Sequence, residues 1–190
     1  MRGVTVNDRE IVNIIASECF EAFYPALNER MTPSHKATIY KAAKEKALIA
    51  KSKAVAVLCP LTEANLGDGV FDMPSFMSQQ GVWAIGSDSH IELNPAEELK
   101  MLEYSQRLIQ QQRNVCCDKN QPHVATWLWL QAMAGGAQAS GLDVSGIEQG
   151  ARAQVVSLTP KDKAIDVSCH ESLLGAFVFS DHVEGVNKVL

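Results

Sequence analysis

Apolar and polar positions change rhythm several times along this chain, and each change predicts an element. From residue 9 to 27, "REIVNIIASECFEAFYPAL" places Ile11, Ile14, Ile15 and Phe20 on one side of a helix that has to stop before Pro25. Residues 33–51, "PSHKATIYKAAKEKALIAK", are rich in Ala, Lys and Glu, whose high helix propensity predicts a second helix. "KAVAVLCP" then gives a short unbroken apolar run with valines, closed by a proline. Such a run fits a strand covered on both faces, as in a parallel sheet. "GVWAIGSDS" repeats the pattern further on, and the intervening "FDMPSFMSQQ" has room for a short crossover helix.

Beyond the second strand, Asn94 and Glu97 make a capping-box pattern with Pro95 at the first helical position. Glu97 and Glu98 stand at the positive end of that helix while Lys100, Arg107 and Arg113 come later, which suits its dipole. Leu99, Leu102, Leu108 and Ile109 supply an apolar side. A further helix is expected from Pro122 to Ser140, ended by Gly141. Within it, "MAGGAQASG" reads as small residues for close helix packing rather than as a phosphate loop, because no Lys-Ser/Thr pair follows. The last part changes character. "ARAQVVSLTP" and "LLGAFVFSDHVEGVNKVL" read as two strands separated by the polar "KDKAIDVSCHES", so a β-rich element follows the helices.

Composition narrows the class. With 46% hydrophobic residues, 21% charged residues and a formal net charge of -5, the 190-residue chain is neither disordered nor suited to nucleic acid. It is long enough for one domain with a sizeable core, or for a piece of a larger one. No run is long enough for a membrane span and the first residues lack a secretion signal, so a cytoplasmic protein is expected, with no membrane partner. Cys19, Cys59, Cys116, Cys117 and Cys169 show no metal-ligand spacing, and their odd number argues against a disulfide framework.

Candidate chemistry collects after the two strands. In a βα barrel the reactive groups sit at the carboxyl ends of the strands. The first strand ends in "CPLTEANLGDG", read as a polar loop carrying Thr62, Glu63, Asn65 and Asp68, and the second in "GSDSH", carrying Ser87, Asp88, Ser89 and His90. Two uses of Asp88 are open at this point. It can bind a cation or take a proton from an activated water, or it can simply cap the chain before the next helix. Glu63 and Asp68 suit a solvated loop, and His90 can orient a ligand or stand idle at a rim. No H-x-H, H-E-x-x-H or C-x-x-C occurs, so no self-sufficient zinc site can be written.

The run from "AVLCPLTEANLGDGVF" through "GVWAIGSDSHIELNPAEELKMLEYSQRL" to "GGAQASG" resembles the C-terminal half of the barrel in the amidohydrolase superfamily. More closely it resembles the N-formimino-L-glutamate deiminases of histidine degradation, because "CP-TEANLGDG" and "IGSDSH" occur together, followed by "P-EEL--LEY-QRL". The similarity covers residues 48–190, with "GARAQVVSL" and "AFVFSDHVEGVNKVL" resembling the returning strands of a small β-domain, in which Gln154 replaces an acid. The fold class it implies is α/β: the C-terminal portion of a (β/α)8 metal-dependent hydrolase barrel plus part of a small β-domain. On that reading residues 1–47 form a helical segment, 48–145 a partial barrel and 146–190 the partial β-domain.

The resemblance also implies a divalent metal, typically zinc, held by an H-x-H pair on the first strand, a histidine on the fifth and an aspartate on the eighth. Asp88 matches that aspartate, as metal ligand and as proton carrier toward departing ammonia. Glu63, Asn65, Ser89 and His90 match the substrate-facing rim. The remaining ligands would fall before Met1, and His35 is the one histidine near the place of a further histidine motif on the sixth strand. A truncated member is therefore expected, inactive alone because one carboxylate cannot hold zinc in catalytic geometry. Its unpaired barrel edges predict self-association, and its partner would be a small-molecule substrate. Two alternatives stay open: a non-catalytic piece that binds another protein, and an amidohydrolase that deaminates a cyclic amidine.

Overall fold

A computed structural model describes residues 44–142, 149–150, 156–161, 165–181 and 183–184. The helix expected from residue 9 to before Pro25 and the first part of that expected over 33–51 lie outside the described residues, as do 151–155 and 185–190 of the closing stretch. The chain divides into two compact units, residues 1–54 with 75–81 and residues 55–74 with 82–190. In the first, residues 44–52 are helical, as their Ala- and Lys-rich composition predicts. Ser52 closes that helix, its hydroxyl donating to the Ile49 carbonyl (2.8 Å) and accepting from the Ala54 N–H (3.2 Å). Phe76 is buried, and a Cβ on Gly81 would overlap its ring.

The second unit contains the expected parallel pair. Strands β1 (Val55–Leu58) and β2 (Val82–Ile85) run side by side with Val55 opposite Val82 and Leu58 opposite Ile85. The Gly86 N–H extends the ladder to the Leu58 carbonyl (2.9 Å). In β2 the successive residues Trp83 and Ala84 are both buried, so this strand is covered on both faces, as its unbroken apolar run predicts. In β1 that expectation holds only in part: on the face of Val55 and Val57, Val55 is half-buried while Val57 is 53% exposed.

Two short helices fill the crossover, α1 (Pro60–Leu66) and α2 (Met73–Ser78). The first corrects the reading of "CPLTEANLGDG" as a polar loop over Pro60–Leu66, while Asp68 does lie in an exposed loop beyond it. Pro60 needs no N–H at the first helical position, Glu63 places a carboxylate in the first turn, and Gly67 ends the helix at φ 76°. Those three features outweigh the polar character of the segment. Helix α3 (Pro95–Gln110) starts where Asn94 and Pro95 predict, with the Asn94 side chain accepting from the Ala96 N–H (3.0 Å). The reciprocal half of the capping box does not form. Glu97 instead meets Lys100 (2.6 Å), and Glu92 accepts the Asn94 N–H (3.0 Å). Leu99 and Leu102 are buried as expected, whereas Leu108 is 81% exposed and Ile109 is also exposed. They lie at the end of a helix whose buried stripe finishes at Gln106.

Helix α4 (Val124–Ser140) ends at Gly141, as read from the sequence. Its buried positions Val124, Leu128, Ala132 and Gly135 recur at helical spacing and face the sheet. Trp127 stacks on Trp83 with ring centroids 5.9 Å apart. The small residues of "MAGGAQASG" do permit a close approach, but to a strand: a Cβ on Gly135 would overlap the Trp83 carbonyl oxygen. Helix α5 (His170–Phe179) replaces the strand expected from "LLGAFVF". Its apolar run is also long enough for a buried helix, and Phe177 and Phe179 find aromatic partners in Trp129 and Tyr104 at 5.4 and 5.7 Å. Strands β3 (Thr159–Pro160) and β4 (Val183–Glu184) form a minimal antiparallel pair, and Val156 makes an isolated β-bridge. Among the described residues no helix is long and apolar enough to cross a membrane.

The packing of α4 on β2 generates a paired prediction. Gly135→Ala drives a methyl group into the Trp83 backbone and should cost about 1–3 kcal/mol, as overpacking does. Gly136→Ala, with open space around its Cβ, should gain about 0.5–1 kcal/mol from helix propensity. Urea denaturation of the two variants beside the parent chain checks both signs.

Candidate functional site

At the carboxyl end of β2, four residues form a turn. The His90 N–H donates to the Ser87 carbonyl (2.8 Å), and the Ser87 hydroxyl meets His90 Nδ1 (3.2 Å). Asp88 and His90 both lie in the left-handed region, at φ 38° and 56°. Aspartate tolerates that conformation better than a branched residue, and histidine is also enriched there. The result is a short projection whose Asp88, Ser89 and His90 are all exposed.

Helix α1 holds this turn from the side. Thr62, only 2% exposed, donates its hydroxyl to the Ser87 carbonyl (3.3 Å) and accepts from the Ser89 hydroxyl (3.2 Å). Both capacities of a buried hydroxyl are thereby used. Thr62 thus grips the chain on each side of Asp88. Of the other rim candidates, Glu63 turns its carboxylate back to the Cys59 N–H at the head of α1 (2.9 Å), and Asn65 stands exposed further along that helix. The structure therefore joins Ser87, Ser89 and His90 around Asp88, adds Thr62, and gives Glu63 a helix-capping bond.

Beneath the rim lies a carboxylate that the pattern of the sequence assigned only to the helix dipole. Glu98 is 2% exposed; its Oε2 accepts the Leu61 N–H (2.9 Å), while its Oε1 has no hydrogen-bond partner. Burial raises its pKa above the ordinary glutamate value, with Glu63 and Glu92 adding repulsion and the Leu61 N–H opposing. Cys59 is also held as a thiol, by burial first and then by the negative charges of Asp88, Glu98 and Glu63. It is not an activated nucleophile. One sequence signal did point to Glu98: with Leu102 and Gln106 it recurs at i, i+4, i+8, on the stripe that carries the buried leucines.

Among the described residues, no group of three or more His, Cys, Asp or Glu side chains is arranged to hold a metal ion. Asp88 can contribute one oxygen donor, and the described residues by themselves do not fit a zinc centre, which needs three protein ligands or four. A separate cleft of about 300 Å³, lined by Asn94, Glu97, Lys161, Phe177, Ser180, Asp181 and Val183, includes none of the rim residues.

No protein-family model matches the chain. Over 146 residues, 77% of its length, it is 41% identical to a formimidoylglutamate deiminase of Pseudomonas aeruginosa, and it spans about a third, 32%, of that protein. Among solved structures it is similar to an amidohydrolase from Brucella melitensis, with a TM-score of 0.71 and 36% identity, covering 78% of this chain and 32% of that one. The resemblance read from "TEANLGDG" and "IGSDSH" is borne out by these matches, and the mixed α/β fold matches part of an amidohydrolase.

The raised pKa of Glu98 has a testable sign. Its folded pKa lies above its unfolded value, so its favourable contribution is complete below the unfolded pKa and is lost as pH rises through the folded one. Glu98→Gln keeps an acceptor for Leu61 without that dependence. The stability advantage of the variant over the parent should therefore widen as pH rises from about 4, the ordinary glutamate range, and level off once the folded group has ionised, measured by urea denaturation at several pH values; a gap that is the same in acid as at neutral pH would contradict the assignment.

Proposed function

We propose that this chain, similar over three quarters of its length to a formimidoylglutamate deiminase and in fold to part of an amidohydrolase, carries the C-terminal part of a C–N hydrolase. Its substrate class is a formimino compound, with N-formimino-L-glutamate the first to test. Water adds to the formimino carbon, the carbon–nitrogen bond breaks, and N-formyl-L-glutamate and ammonia leave. The observation that supports this most directly is the placement of Asp88. A carboxylate stands exposed at the carboxyl end of a parallel strand, on a turn gripped by Thr62 on both sides.

Asp88 has the chemistry of a proton carrier: its carboxylate takes a proton from the attacking water and delivers it to the departing nitrogen. Thr62 contributes orientation, because its hydrogen bonds to Ser87 and Ser89 limit how far the turn can swing. Ser89 and His90, exposed beside Asp88, are placed to meet the polar end of a substrate. A zinc ion, where the reaction uses one, would need ligands besides Asp88, because the described residues offer no group of three that could hold a metal. On this reading the chain by itself is expected to be inactive, since among the described residues Asp88 stands exposed and without further metal ligands.

Two assays test the reading together. The chain alone should release no ammonia from N-formimino-L-glutamate, whereas co-expression with the N-terminal two-thirds of the Pseudomonas aeruginosa relative should restore release. In the restored assembly Asp88→Asn should lower kcat by about a hundredfold or more, as expected for loss of an acid–base group. Asp88→Asn at full rate, or assembly without ammonia release, would overturn the proposal.

A further inference from the structure

We propose that Glu98 is a positioning residue for the Asp88 turn, acting through the first turn of α1. The tether can be followed atom by atom. Glu98 Oε2 accepts the Leu61 N–H; the next residue, Thr62, donates to the Ser87 carbonyl and accepts from Ser89; and Asp88 lies between those two serines. Leu61 occupies the second position of α1, where an N–H has no acceptor inside its own helix. Glu63 serves Cys59 and so is already engaged, which leaves the partner of Leu61 to come from α3.

An apolar residue at position 98 would fill the space and leave that part-buried N–H without its side-chain acceptor. A shorter acid would fall short of it. Only one of the two Glu98 oxygens is used, and the other is buried with no partner. That arrangement is costly for a residue whose sole task is to pack, because a buried carboxyl oxygen gives up hydration without recompense. It is understandable where a single acceptor of glutamate length must reach the head of α1. The functional meaning of this tether rests on the reading of Asp88 given above, whereas the tether itself can be measured without turnover.

Amide hydrogen exchange, followed by NMR on the 190-residue chain, supplies the test. The Leu61 amide reports the Glu98 bond, the His90 amide reports closure of the turn, and the amide of Leu128, fully buried in the middle of α4, reports global stability. Glu98→Ala should speed exchange at both Leu61 and His90 by about tenfold beyond any change at Leu128, the loss of one part-buried hydrogen bond. Glu98→Gln should keep both amides within about threefold of the parent, since its amide oxygen offers the same acceptor. Thr62→Val should speed His90 while sparing Leu61. Glu98→Asp, which keeps the carboxyl and withdraws it by one methylene, should act as Glu98→Ala does and decides the matter if the alanine variant does not fold. Faster exchange at Leu61 alone, equal acceleration at all three amides, or failure of Glu98→Gln to rescue would each overturn the proposal. Because no substrate is involved, an inactive assembly with intact coupling would sink the functional reading and leave this one standing.

Discussion

Helix α3 is the member on which the second unit depends, because it brings polar acceptors as well as leucines to the interior. Backbone N–H groups that pass through a core without joining a ladder must find an acceptor elsewhere. Three connecting segments do so on this one helix. Glu98 takes the N–H of Leu61, Gln106 shares that of Met73 (3.4 Å) with the Phe71 carbonyl (2.9 Å) while donating to that same carbonyl (2.8 Å), and Glu103 takes those of Val115 and Cys116 (3.1 and 2.8 Å). Glu103 is itself fully buried and is balanced by Arg107 at 2.6 Å. The Arg107 guanidinium in turn lies over the rings of Tyr104 and Phe179, about 5 Å from each centroid, which ties α5 to the same helix.

This arrangement separates stability from position. Leu99, Leu102, Trp83, Leu128 and Val178 bury apolar surface without specifying where a loop must lie. Hydrogen bonds from single side chains to single amides do specify it, because their strength falls steeply with distance and angle. The Asp88 turn lies at the end of one such line of contacts. Its two left-handed residues store a modest backbone cost, met by the hydrogen bonds that Thr62 and His90 make to Ser87.

The cysteines fit the same division. Cys116 is buried against Glu103 and its thiol is pushed well above the ordinary range, first by burial and then by that carboxylate. Cys59 sits among acids and is likewise held neutral. Both act as small apolar fillers at places where α3 receives a loop. Asp118, by contrast, is exposed and held below the usual aspartate range by the Gln121 and Asn120 amides, with which it shapes the approach to α4 while accepting from the Trp127 indole (3.2 Å).

Much of the fold was legible before any coordinates. The valine-rich runs gave β1 and β2 and their parallel sense, Asn94 and Pro95 gave the start of α3, and Gly141 gave the end of α4. The motif around Asp88, taken together with "TEANLGDG" and "P-EEL--LEY-QRL", indicated the family resemblance. Local pattern failed where two signals of similar strength competed. "TEANL" is polar yet becomes helical because Pro60 and Gly67 bound it, and "LLGAFVF" is β-prone in composition yet is helical against Tyr104 and Trp129. The sequence by itself thus determined which segments are apolar, where helices start and stop, and that Asp88 follows a strand, because those properties are written in neighbouring residues. Only the tertiary structure decided that Gly135 meets the Trp83 backbone, that Thr62 grips both sides of Asp88, and that Glu98 reaches Leu61 from 37 positions away. Each of those depends on which distant backbone the packing brings against the side chain, and no local pattern records that.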